Sequence, residues 1–113
     1  MCVDQDNLNM LKEIIGDDLK EVLDAFLSTS PSLLEQIERS IASEDAAGVQ
    51  LHSHTLKGSS ANIGATELPN LCLELESAAK NGVVTPEFSP MLAKIKAETM
   101  NVTAALEDFL KTF

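Results

Sequence analysis

Apolar residues recur along this chain at steps of three and four, the period of an α-helix, and no stretch shows the alternation of a β-strand. The spacing predicts a first short helix over about Asp6 to Ile15, with Leu8, Leu11 and Ile14 or Ile15 on one face and Gly16 as its stop. A second helix begins at Asp18, where Glu21 completes a capping-box spacing. Its stripe runs through Leu19, Val22, Leu23, Phe26 and Leu27, then Leu33, Leu34, Ile37 and Ile41. Pro31 falls inside this stretch. The stripe keeps its phase across the proline, which favours one kinked helix over two pieces with Ser30 capping the second.

A third helix covers about Glu44 to Asn62 and ends before Gly64. The fourth takes Thr66 as its cap and Pro69 at its third position, where no backbone donor is needed. It buries Leu68, Leu71, Cys72, Leu75, Ala78 and Ala79 until Gly82 stops it. The fifth begins near Thr85-Pro86 or Ser89-Pro90 and runs to about Lys111. Its positions Phe88, Leu92, Ile95, Thr99, Val102, Leu106, Phe109 and Phe113 alternate steps of four and three, a bundle seam. The expected fold is all-α: an antiparallel, up-down four-helix bundle with a short additional N-terminal helix as a lid.

Composition narrows this picture without changing it. The 113 residues make one domain, 1–113, with no internal repeat or interdomain linker. No apolar run approaches the ~18 residues that span a bilayer, and the N-terminus lacks the order of a signal peptide. Cys2 and Cys72 cannot build a disulfide framework, and Cys72 reads as a small core residue; a reducing cytoplasm is the expected compartment. The net charge of −10 argues against nucleic acid or anionic membrane as partner and leaves other proteins. A monomer is expected.

The third helix holds the candidate chemistry, in His54-Thr55-Leu56-Lys57-Gly58-Ser59-Ser60. At about 100° per residue, Val49, Leu56 and Ile63 fall opposite His54 and mark the core side, with Ser53, Ser59 and Ser60 on or beside it. Ala47, Leu51, Gly58 and Ala61 fall near His54 instead, so the histidine is expected at the surface in a small, mostly apolar patch suited to docking a protein. Lys57 and Gly58 lie one turn on, offering a positive charge and empty space. A neutral imidazole is a nucleophile near neutral pH, and charge with clearance is what a bulky dianionic phosphoryl group requires. His52 points near the core edge and reads as a structural histidine; two histidines at this spacing on one helix cannot share a metal.

These residues carry a resemblance. The run His54 to Ala65, continued by Leu68, Leu71, Cys72, Leu75 and Glu76, and the opening Ile15-Gly16-Asp17 followed by Phe26, resemble the histidine-containing phosphotransfer (HPt) domain of bacterial multistep phosphorelays. His52 departs from the family pattern, where a small apolar residue is more usual. The resemblance implies that His54 accepts a phosphoryl group from a receiver-domain aspartate and passes it to another. It further implies that Lys57 stabilises the phosphorylated form and that Gly58 keeps the approach open. The partners implied are receiver domains and a hybrid sensor histidine kinase. The resemblance implies no cofactor, because Mg²⁺ belongs to the receiver, and no kinase or hydrolase activity in the chain itself. No base is expected, in keeping with the absence of a carboxylate from the motif.

Three rival classes share part of this pattern. An acyl carrier is also small, acidic and helical, but it needs an Asp-Ser-Leu attachment site that this sequence lacks. An adaptor bundle would bind receivers without accepting phosphate. A chemotaxis-type kinase shares the His-x-x-Lys-Gly pattern but needs a nucleotide-binding domain for which 113 residues leave no room. Met1 and the completed final helix lean towards a free-standing protein rather than a fragment of a sensor kinase.

Overall fold

A computed structural model describes residues 2–113; Met1, part of the argument for a free-standing protein, lies outside them. Five helices follow one another: α1 (Gln5–Ile15), α2 (Asp18–Ala42), α3 (Ala46–Asn62), α4 (Leu68–Ala79) and α5 (Phe88–Leu110). The last four form the bundle. α3 packs between α2 and α4, and α5 closes the ring between the same two helices, diagonally across from α3. The long axis of 44 Å is little more than the ~38 Å of the 25-residue α2, at about 1.5 Å per residue.

The seam of α5 is buried as its spacing requires: Phe88, Leu92, Ile95, Thr99, Val102, Leu106 and Phe109 all face inward. They meet Leu19, Leu23, Phe26 and Ile37 of α2, Val49 and Leu56 of α3, and Leu68, Cys72, Leu75 and Ala79 of α4 in one continuous core. Burial of this kind, worth roughly 1.5–3 kcal/mol per large side chain, is what holds the helices together. α2 passes through Pro31 without a break. The hydroxyls of Ser28 and Thr29 donate back to the Ala25 carbonyl in the turn before it.

The structure moves several boundaries. α3 starts at Ala46, not Glu44, because Asp45 is the cap and its carboxylate accepts from the Gly48 N–H. α4 starts at Leu68 after Glu67 rather than from a Thr66 cap, so Pro69 stands second in the helix. α5 starts at Phe88, between the two expected origins, with Pro90 still in the first turn. Gly64 and Gly82 do stop their helices, each with a positive φ that a side chain would disfavour.

The short helix α1 is seated less deeply than its sequence implied. Leu8 is buried and Leu11 half-buried, but Ile14 is 69% exposed and Ile15 is exposed too, as is Val22 on α2. The reason is where α1 is tied. The Asp4 N–H donates to the Gly64 carbonyl (2.8 Å), and Val3 pairs with Ala65. At its other end Lys12 Nζ donates to the Thr112 carbonyl (2.7 Å) and lies over the Phe113 ring. α1 therefore caps one end of the bundle, and its last turn overhangs. Phe113, beyond the end of α5, is partly exposed and meets Phe109 edge-on instead of extending the buried seam.

Candidate functional site

α3 and α4 share the most extensive helix contact in the molecule, and the turn between them sets their register. His54 and Glu76 are each eleven residues from Ala65, so an antiparallel pair brings them level. His54 Nδ1 lies 3.0 Å from Glu76 Oε2, and Lys57 Nζ lies 2.7 Å from Glu76 Oε1. One carboxylate thus grips both basic groups. Its side chain is only 7% exposed, whereas that of His54 is 63% exposed.

Burial alone would push a carboxyl towards its neutral form. Here the hydrogen bond from Lys57 outweighs burial, with a further hydrogen bond from His54, and holds Glu76 below the usual carboxylate range. An ionised carboxylate can only accept, so His54 Nδ1 must carry its hydrogen. In the neutral ring the lone pair is then on Nε2, on the edge that faces away from Glu76. The pairing decides the tautomer as well as the orientation.

Around the ring the surface is as the helical wheel expects. Val49, Ser53, Leu56, Ser60 and Ile63 are buried, and Ala47, Leu51, Gly58 and Ala61 are exposed beside His54, Leu51 at 60%. A side chain grown from Gly58 would meet nothing within 4 Å. Ala47, Gln50, Leu51, His54, Glu76 and Lys80 line a shallow depression of about 400 Å³. His52 is half-buried and takes no part in it. Cys72, one turn before Glu76, is fully buried, and burial pushes its thiol up to about 12, so it is an inert core residue. Among the described residues no three His, Cys, Asp or Glu side chains converge as a metal site.

The expectation that no carboxylate stands near the histidine is therefore corrected. Glu76 is absent from the linear motif because it comes from the neighbouring helix. The signal was present in the sequence: Glu76 lies one turn after Cys72 and two after Leu68, a charge placed on an apolar stripe. A charge in such a position needs a partner, and Lys57 is the cation α3 supplies.

Comparison with known proteins identifies the family of the chain as a whole. The family model of the Hpt domain matches residues 21–111. The phosphorelay intermediate protein rdeA of Dictyostelium discoideum is 31% identical over 93 residues, 82% of this chain and 36% of that protein. The phosphorelay protein LuxU of Vibrio vulnificus is 31% identical over 87 residues, 77% of this chain and 76% of LuxU. The chain thus spans about a third of the length of the first of these relatives and about three quarters of the second. Among solved structures, histidine-containing phosphotransfer protein B of Pseudomonas aeruginosa PAO1 superposes with a TM-score of 0.92 at 25% identity, over 99% of this chain and 96% of that one. The HPT domain of a hybrid histidine kinase from Shewanella superposes with a TM-score of 0.82 at 23% identity, over 99% and 96% of the two chains, a likeness of fold.

Proposed function

This chain belongs to the Hpt domain family, the histidine-containing phosphotransfer proteins of multistep phosphorelays, and from that membership we propose that His54 is its phosphoacceptor. Nε2 of His54 attacks the phosphorus of a receiver's aspartyl phosphate. The N–P bond forms as the P–O bond to the aspartate breaks, and the carboxylate departs with the electron pair. Onward transfer is the reverse: the aspartate of a second receiver attacks, and the pair returns to Nε2. The proton on Nδ1 stays in place throughout, so neither step needs a general base. Glu76 is a positioning residue, which aims Nε2 outward and balances the positive charge on the phosphorylated ring.

Lys57 keeps Glu76 ionised, and its remaining N–H donors are available to phosphoryl oxygens. Gly58 leaves room for the receiver, whose docking we assign to Ala47, Leu51 and Ala61 around the ring. Phosphorelay intermediates of this family are carriers that work between receiver domains and kinases. We extend that to this chain as a cytoplasmic monomer with no kinase or hydrolase activity and no cofactor of its own, Mg²⁺ being supplied by the receiver. No described helix is long and apolar enough to cross a membrane.

The observation that carries the proposal is the exposed His54 ring pinned through Nδ1 to a buried, ionised carboxylate. The test is incubation with a phosphorylated receiver domain. The unaltered protein and His52→Gln should both acquire acid-labile, base-stable phosphate, and His54→Gln should fold normally and acquire none. Label retained by His54→Gln but lost from His52→Gln would move the site. Receiver binding with no label on any variant would make the chain an adaptor instead.

A further inference from the structure

The phosphorylated site as described so far has no side-chain cation free of a counter-charge. Lys57 and Glu76 cancel one another, and a phosphoryl group arriving on His54 carries about two negative charges, of which the positive ring offsets only one, on a protein that already carries −10. Of the chain's eight Lys and Arg, Arg39, Lys57, Lys96 and Lys111 are ion-paired to carboxylates. Lys12 is held by Thr112 and the Phe113 ring. Lys20, Lys80 and Lys94 form no ion pair among the described residues.

Of those three, Lys80 alone lines the depression that holds His54. It follows Glu76 by four residues, so it lies over the same face of α4 one turn nearer solvent, at the helix end. Its position at the C-terminus of α4 is by itself a favourable place for a positive charge. That explains a lysine there, but not its sharing a depression with the histidine.

We propose that Lys80 is a second phosphoryl-binding cation of the phosphorylated protein, closing on the group from α4 while Lys57, held by Glu76, reaches it from α3 with its remaining donors. The proposal rests on His54 being the phosphoacceptor. When Nε2 carries the phosphoryl group, the flexible lysine stem brings the ammonium to its oxygens, where the charge-assisted hydrogen bonds favour the dianion over the monoanion.

Phosphoramidate provides a test that needs no partner protein: Nε2 forms the new N–P bond as the donor's own P–N bond breaks and ammonia leaves. In the labelled protein, ³¹P NMR follows the second ionisation of the phosphoryl group with pH. Lys80→Ala should raise its proton affinity about two- to fivefold, the scale of a solvent-exposed ion pair. Lys80→Arg should restore the original value, and Lys94→Ala, the same charge removed from α5, should leave it unchanged. A merely structural lysine would alter melting without moving this ionisation. If labelled Lys80→Ala titrates like the unaltered protein, or Lys94→Ala shifts it equally, the role of Lys80 is overturned and that of His54 stands. If neither phosphoramidate nor a phosphorylated receiver labels the unaltered protein, both fall together.

Discussion

α5 and α3 sit diagonally across the same bundle and solve opposite problems. Every seam position of α5 from Phe88 to Phe109 is buried, and its sequence could be read as a folding element and nothing else. α3 spends its core side on Val49, Leu56 and the small residues Ser53 and Ser60, and leaves Leu51, Ala47 and Ala61 in water around His54. Polar groups lie inside and apolar ones outside. Packing energy does not ask for such an arrangement, so its cause is sought in what the outer face touches. A helix whose burial pattern departs from the simplest amphipathic pattern marks the functional face.

The largest effects should separate the two helices by what else is lost. Leu106→Ala empties a fully buried position in the α5 seam and should cost about 2–5 kcal/mol in denaturant unfolding, with phosphate acceptance per folded molecule unchanged. Leu56→Ala, on the core side of α3 two residues from His54, should cost a similar amount and also slow acceptance, because the ring loses its platform. Equal transfer defects in the two variants would erase the distinction.

Glu76 joins stability to the site, and its expected effect is next in size. Its carboxyl is held below the ordinary value of 4.5, so its contribution is complete above that value and disappears as pH falls through the lowered one. Glu76→Gln should therefore cost about 1–3 kcal/mol at pH 7, since Lys57 loses its partner, and the gap to the unaltered protein should narrow on acidification below about pH 4.5. A gap that stays constant from pH 7 to pH 3 would mean that the carboxylate is not ionised by this pairing.

The same contrast decides what could be read before the structure. The five helices, the α5 seam and the orientation of His54 follow from periodicity, because a regular helix fixes the angle between residues a few positions apart. The seating of α1 did not. Ile14 and Ile15 fit an apolar face in the sequence, but the ties at Gly64 and Thr112 are made by residues far along the chain and leave that last turn overhanging. Glu76 was missed for a related reason: its partnership with His54 is set by the register of two helices about the turn at Ala65, which no single-helix wheel contains. The helix starts at Ala46 and Leu68 turned on which side chain or backbone group closes the first turn, a local competition among several polar residues.

The smallest effects come from the two glycines of α3, which look alike in sequence and should respond with opposite sign. A Cβ at Gly58 would meet no neighbour, so Gly58→Ala removes only the flexibility of glycine in a helix and should stabilise the protein by roughly 0.5–1 kcal/mol. A Cβ at Gly48 would come within 2.6 Å of both Asp45 Oδ2 and Ser40 Oγ. Asp45 is the capping carboxylate bonded to the Gly48 N–H, so it cannot retreat without giving up the cap. Gly48→Ala should therefore lower the melting temperature, by about the 1 kcal/mol that a lost cap costs. Phosphate transfer from a receiver should reverse this ranking: unaffected by the methyl at Gly48, and slowed at Gly58, where the added group stands in the path to Nε2. Stabilisation at Gly58 without any slowing would leave the glycine beside His54 without a functional reason.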